Sequence, residues 1–275
     1  MSWLYLPGGG GGLLASKLLG WRTVCYVEWN SYCVEVLKAR IRDGYLDDAP
    51  IWDDCNSFDG APWSGLVDVI SAGFPCQPFS SAGKGLAEND PRNGWPALKR
   101  IIGEVRPGFA FLENVPGLIS KPYIRRIFGD LAEIGYDAEW GTLSAAAVGA
   151  PHKRDRLWIV AYSQSIEEQL QLLAWQDNLK SSRNGKIQSM ADTNIKRCSE
   201  FEIATISDKS PQSTRCTSKN KRGEWFRTEP RMGRVVDGVA HRLDRLEAIG
   251  NGQVPEVARV AWELLTARIA QQVPG

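Results

Sequence analysis

The stretch Gly73-Phe74-Pro75-Cys76-Gln77-Pro78-Phe79-Ser80-Ser81 constrains this chain more than any other. The residues before it, Val67-Asp68-Val69-Ile70-Ser71-Ala72, read as a buried parallel strand. Glycine ends that strand, and two prolines then flank one cysteine. Proline fixes φ and drives the preceding residue out of the helical region, so Cys76 is expected on a stiff loop at a strand's carboxyl end. In open α/β sheets that edge is where ligands bind. A free cysteine is more often a small buried hydrophobe than a nucleophile, so other stretches must decide between the two.

The N-terminal quarter gives the fold class. Leu4-Tyr5-Leu6 is a short strand, Pro7 and the run Gly8 to Gly12 form a turn, and Leu13-Leu14-Ala15-Ser16-Lys17-Leu18-Leu19 reads as helix. Strand, glycine turn and helix open a Rossmann-like nucleotide-binding unit. There the glycines admit a ligand close to the backbone, and the helix N-terminus offers free N–H groups. Thr23-Val24-Cys25-Tyr26-Val27 is the next strand and ends in Glu28-Trp29. An acidic residue at that distance from the glycines suits a ribose clamp, and Trp29 an adenine-stacking face; the blander roles are a surface carboxylate and a core indole. Residues 34–42 look helical. Ile51-Trp52-Asp53-Asp54 is another short strand end. Asp54 can accept from an adenine amino group, or simply shape a turn.

Beyond the cysteine loop, residues 84–93 are polar and glycine-containing, as a lid over a site would be. Trp95 begins a helix whose apolar face is Leu98, Ile101, Ile102 and Val105. Phe109-Ala110-Phe111-Leu112 is a buried strand closed by Glu113-Asn114-Val115-Pro116. A carboxyl group after four apolar residues is where an acid of raised pKa is expected; a loop salt bridge is the alternative. Ile124, Ile127, Leu131 and Ile134 form another helix face. His152-Lys153-Arg154-Asp155-Arg156 then leads into the strand Leu157-Trp158-Ile159-Val160-Ala161-Tyr162. In an extended chain Arg154 and Arg156 project from one side, a pair suited to a carbonyl or phosphate; two surface arginines are the blander reading. Gly250-Asn251-Gly252-Gln253-Val254-Pro255 reads as a turn. The last helix starts near Glu256 with Val257, Val260, Ala261, Leu264, Leu265 and Ile269 on its face.

Composition narrows the class. With 43% hydrophobic and 24% charged residues in a chain of 275, a soluble globular protein is expected. No apolar run approaches the ~20 residues of a membrane span. The N-terminus lacks the basic segment of a signal peptide, so a cytoplasmic location is expected. Six cysteines in a chain of this length make no disulfide framework, and the absence of Cys-x-x-Cys with only two histidines argues against a metal site. Residues 180–245 hold 15 Lys and Arg against 8 Asp and Glu, although the whole chain is only +1. A basic block on an acidic body suggests a polyanion partner.

These stretches, in this order, resemble the bacterial and phage DNA cytosine-5 methyltransferases over residues 1–162 and about 230–265. The resemblance implies an α/β fold, a Rossmann-like S-adenosylmethionine-dependent methyltransferase sheet with a small inserted target-recognition domain. Residues 1–162 and 246–275 would form the catalytic domain, and 163–245 the insert. It implies that Cys76 is the nucleophile toward cytosine C6, that Glu113 of Glu-Asn-Val works at N3, and that Arg156, supported by Arg154, works at O2. His152 stands where the family has glutamine. S-adenosylmethionine would be held by Pro7, Gly9, Gly11, Gly12, Glu28, Trp29, Asp54, Pro75, Trp95 and Asn251, the last from the late Gly-Asn motif. The substrate would be double-stranded DNA, with a monomer acting apart from any cognate restriction enzyme. Pro7 replaces the family's phenylalanine. That departure makes a weakened DNA-binding relative one alternative; cytosine-5 methylation of RNA, as in the family's tRNA-methylating cousins, is another, and a nicotinamide-dependent enzyme would leave the Pro-Cys loop unexplained.

Overall fold

Short apolar runs alternate with helical patterning along the chain, and the structure folds them as strands and helices in turn. The computed structural model describes residues 2–6, 11–74, 93–164, 166 and 252–272. Pro7, Gly9, Pro75, Cys76, Asn251, the expected lid up to residue 92 and the expected insert from residue 167 onward lie outside the described residues.

The first half is β1 (Ser2–Leu6), α1 (Gly11–Leu18), β2 (Arg22–Val27), α2 (Ser31–Arg42), β3 (Ile51–Trp52) and β4 (Val69–Gly73). The second half is α3 (Trp95–Val105), β5 (Phe109–Asn114), α4 (Tyr123–Glu133), β6 (Tyr136–Ser144), β7 (Asp155–Ser163) and α5 (Pro255–Gln272). Among the described residues one seven-stranded sheet runs β3-β2-β1-β4-β5-β7-β6. The pairs from β3 to β5 are parallel, and β7 is antiparallel to both its neighbours.

Alternation along the strands sends side chains to two cores. Ala110 and Leu112 of β5 join Ile70, Ala72, Leu157 and Ile159 under α3 and α4. Phe109 and Phe111 join Val69, Trp158 and Val160 under α1 and α5. Burial on both faces is why these strands read as continuous apolar runs rather than as alternating ones. α3 buries Leu98, Ile101, Ile102 and Val105, the face expected from its spacing. α5 is rotated slightly from expectation: Ala258 and Trp262 are buried with Val257, Ala261, Leu265 and Ile269, while Val260 and Leu264 are half-buried. The reason is Trp262, whose ring meets Trp21 at 4.7 Å, Phe109 at 5.3 Å and Phe111 at 5.4 Å, each edge to face.

Three further departures are local. α1 begins at Gly11, so Gly11 and Gly12 form its first turn instead of a loop before it. β6 was not anticipated; it is the edge strand beyond β7. Arg154 has φ +33°, so the extended chain starts only at Asp155, and the simple alternation of Arg154 with Arg156 does not hold.

Candidate active site

Strand order reverses between β1 and β4, and the carboxyl ends of these two strands lie together, Leu6 opposite Ala72. That reversal is the position at which doubly wound sheets bind ligands. In sequence, the glycine run follows one of these ends and Pro75-Cys76 the other. β5 adds Glu113 directly beside Gly73. Because β7 runs antiparallel, its amino end reaches the same edge: Glu113 pairs with Trp158 in register. Arg154 and Arg156 therefore arrive where the parallel strands deliver their carboxyl ends.

Glu113 is 8% exposed. Its parity matches Phe109 and Phe111, so it projects to the α5 side, as Arg156 does from β7. Such diagonal neighbours across a strand pair are within reach of long side chains. Arg156 Nε lies 2.7 Å from Glu113 Oε1, and Arg156 Nη1 donates to the Asp155 carbonyl at 2.9 Å. The Arg154 guanidinium donates to the Gly252 carbonyl. Gln253 hydrogen-bonds Glu113. Burial pushes the Glu113 carboxyl up to about 7, against the opposing pull of Arg156, Gln253 and Arg154. The acid expected from the sequence and the salt bridge offered as its alternative are thus the same residue. Burial and the neighbouring Arg156 charge push Arg154 below the ordinary arginine range. Asn114, one residue on, faces the other core and donates from Nδ2 to the Phe74 carbonyl at 3.1 Å. That bond ties the end of β5 to the residue preceding Pro75. His152 is exposed.

The other end of the edge suits a nucleoside. Glu28, buried at the end of β2, accepts the Asn30 N–H at 2.9 Å. Burial raises its carboxyl, opposed by the Asn30 and Trp29 N–H groups. Asn30 in turn caps α2 by accepting from Cys33 N at 3.2 Å. Trp29 is 74% exposed, so it is no core indole and its face is available for stacking. Asp54 accepts both the backbone N–H of Asn56 at 2.8 Å and its side-chain amide at 2.9 Å, all on Oδ1. It shapes a turn, as the blander reading had it, at the end of the strand beside Glu28. Gly12 is buried in the first turn of α1, where the helix leaves N–H groups without intrahelical partners. A carboxyl pair, an open indole and a helix N-terminus fit an adenosyl group with charged and polar ends.

Trp95 is redirected by the structure. It is 1% exposed, its Nε1 donates to Asp130 Oδ2 at 2.7 Å, and its ring packs on Phe74 at 5.4 Å. It belongs to the core below the edge and offers no open face to a cofactor. Asn93, the described end of the expected lid, is tied to the Tyr123 hydroxyl at 2.8 Å and accepts the Trp95 N–H on its Oδ1 at 3.2 Å. The sequence reading missed Gln253, which it placed in a turn. An apolar context for an amide was visible only in Val254 beside it.

Sheet order, switch point and buried acid together define a Rossmann-like α/β domain of the methyltransferase type. The chain belongs to the C-5 cytosine-specific DNA methylase family, whose sequence model matches residues 6–259. Among curated relatives, the type II methyltransferase M.NgoMIV of Neisseria gonorrhoeae is 32% identical over 157 residues, 56% of this chain and 49% of the relative. M.AplI of Arthrospira platensis is 33% identical over 159 residues, 56% and 43% of the two chains. The chain spans about half the length of the curated relatives it matches. A crystal structure of a Spodoptera frugiperda DNMT2 variant aligns with 59% of this chain and 50% of its own, at 26% identity and a TM-score of 0.49.

Proposed function

We propose that this chain transfers the methyl group of S-adenosylmethionine to C5 of cytosine in double-stranded DNA. The observation that carries the reading is Glu113: a dry carboxyl group raised to about 7, gripped by Arg156 at 2.7 Å, beside the strand that leads into Pro75-Cys76. Cytosine C5 is a weak nucleophile. The Cys76 thiolate adds to C6, and C5 gains the electron density that lets it attack. Glu113, protonated near neutrality, holds N3 or gives it a proton as negative charge develops on the ring. Arg156 and Arg154 stabilise the O2 side with fixed positive charge. The bound cofactor supplies an electrophilic methyl group. Loss of the C5 proton to a base then lets the Cys76 sulfur leave. Trp29, Glu28, Asp54 and the N-terminus of α1 hold the nucleoside end of the cofactor.

A duplex conceals C6, so the base must be turned out at a cost of a few kcal/mol. The basic residues between 180 and 245 supply the phosphate contacts that offset it, and residues 163–245 act as the target-recognition domain. The protein acts as a monomer in the cytoplasm. Among the described residues no helix is long and apolar enough to cross a membrane.

The test is transfer of labelled methyl from S-adenosylmethionine to mixed-sequence duplex DNA, followed by nucleoside analysis. Label in 5-methylcytosine supports the reading; a folded protein that labels no base, or labels tRNA in preference, overturns it. We expect Cys76→Ser to lose transfer by at least about a thousandfold while cofactor affinity stays within twofold.

A further inference from the structure

Gln253 lies two residues before α5. It is 6% exposed, and its side chain hydrogen-bonds Glu113. Its Oε1 is buried with no partner among the described residues. The residue before it, Gly252, takes the Arg154 guanidinium on its carbonyl. One dipeptide therefore touches both the acid and one of its two arginines. A turn alone does not require this: the amide of a turn residue normally stays in water, where both its ends are satisfied.

The chemistry of the amide suggests why it is here. Glu113 must exist in two forms during a reaction cycle, a carboxylate that only accepts and an acid that also donates. Arg156 can serve only the first, because a guanidinium has no acceptor. An amide serves both, since its N–H donates to a carboxylate and its carbonyl accepts from a carboxylic acid. The terminal torsion that exchanges the two ends of a glutamine is broad and soft. We propose that Gln253 is the positioning residue of Glu113, holding the ionised carboxyl through Nε2 and the protonated carboxyl through Oε1, so that the acid keeps one orientation as it gains and loses its proton. The dry Oε1, without a partner among the described residues, is the acceptor that the second half of this cycle needs. The proposal rests on Glu113 working as the acid of the methyl transfer described above.

Hydrogen bonds to an ionised acceptor are roughly twice as strong as neutral ones, so on balance the amide favours the carboxylate. Gln253→Leu keeps the volume and removes both hydrogen-bonding ends. The readout is the ¹³C titration of the Glu113 carboxyl in the full chain, its signal assigned by its loss in Glu113→Gln. We expect the midpoint to move up by about one pH unit in Gln253→Leu. In the methyl-transfer assay the basic limb of the kcat profile moves with it. At pH 7.5 we expect kcat to fall about tenfold, with KM for DNA and for the cofactor within twofold. An unmoved carboxyl midpoint overturns the proposal, whatever happens to activity, and makes Gln253 a packing residue. If Gln253→Leu does not fold, Gln253→Glu keeps the shape and replaces the donor with a second carboxyl. The Glu113 midpoint should then rise further than one unit, and a midpoint at or below that of the wild type overturns the proposal. The titration needs no turnover. A wild-type protein that methylates nothing would remove the proposed function while still deciding whether Gln253 holds Glu113.

Discussion

Glu113 carries a pH dependence of its own. Its folded-state pKa, about 7, lies above the ordinary glutamate value of 4.5 because burial disfavours the charged form. The native state therefore holds the proton more tightly than the unfolded chain. The stabilisation is fully present below about pH 4.5 and is lost as pH rises through about 7. Between pH 5 and pH 8 we expect the wild type to lose up to about 3 kcal/mol that Glu113→Gln does not lose, read from urea unfolding of both proteins at the two pH values. Arg156→Ala strips the carboxylate of its cation, and we expect it to cost about 3 kcal/mol at pH 8 and much less at pH 5, where the acid is neutral. The two indoles expected at the cofactor separate cleanly at this scale. Trp29→Ala should weaken S-adenosylmethionine binding about fivefold by calorimetry, the equivalent of ~1 kcal/mol of stacking. Trp95→Phe should leave that affinity within twofold and instead destabilise the fold by about 1–2 kcal/mol through loss of the bond to Asp130.

At the scale of elements, α5 and β7 matter most. α5 fills the trough over β6 and β7 and beside α1, with Trp262 ringed by Trp21, Phe109 and Phe111. We expect Trp262→Ala to cost about 3–5 kcal/mol in chemical denaturation, with the midpoint shifted and the slope unchanged. α5 is preceded by Gly252 and Gln253, so loosening it should also lower activity at pH values where the protein is still folded. The apolar faces of α3 and α4 were legible from spacing alone, because each packs one stripe on one side of a sheet. β6 was not, although Tyr136, Ala138, Trp140 and Thr142 alternate with Asp137, Glu139 and Gly141. The stretch is an edge strand with few fully buried positions, so it lacks the apolar run that marked β4 and β5. Trp95 misled for the opposite reason: a large aromatic beside the cysteine loop suits a binding site or a core equally well, and the hydrogen bond to Asp130, 35 residues away, decides for the core.

For the whole molecule, the site is a junction of chain segments that are distant in sequence. Glu113 comes from β5, Arg154 from just before β7 and Arg156 from its start, and Gln253 from just before α5, about a hundred residues later. The basic character of residues 180–245 predicts DNA binding that weakens steeply with salt, a slope that gel-shift titrations between 50 and 200 mM salt would give.

The residue types alone determined much of this protein: the strands that are buried on both faces, the helix that opens the domain, and the acid after an apolar strand. Each is a local statement, set by backbone preference or by apolar spacing along a few consecutive residues. Only the tertiary structure decided that β7 runs antiparallel, which carries Arg156 to 2.7 Å from Glu113. It also decided that Arg154 turns through a left-handed residue to reach Gly252, that Trp95 is core, and that Gln253 closes on the acid. These are pairings across tens to a hundred residues, and their energies depend on strand direction, burial and charge in three dimensions, none of which a local pattern encodes.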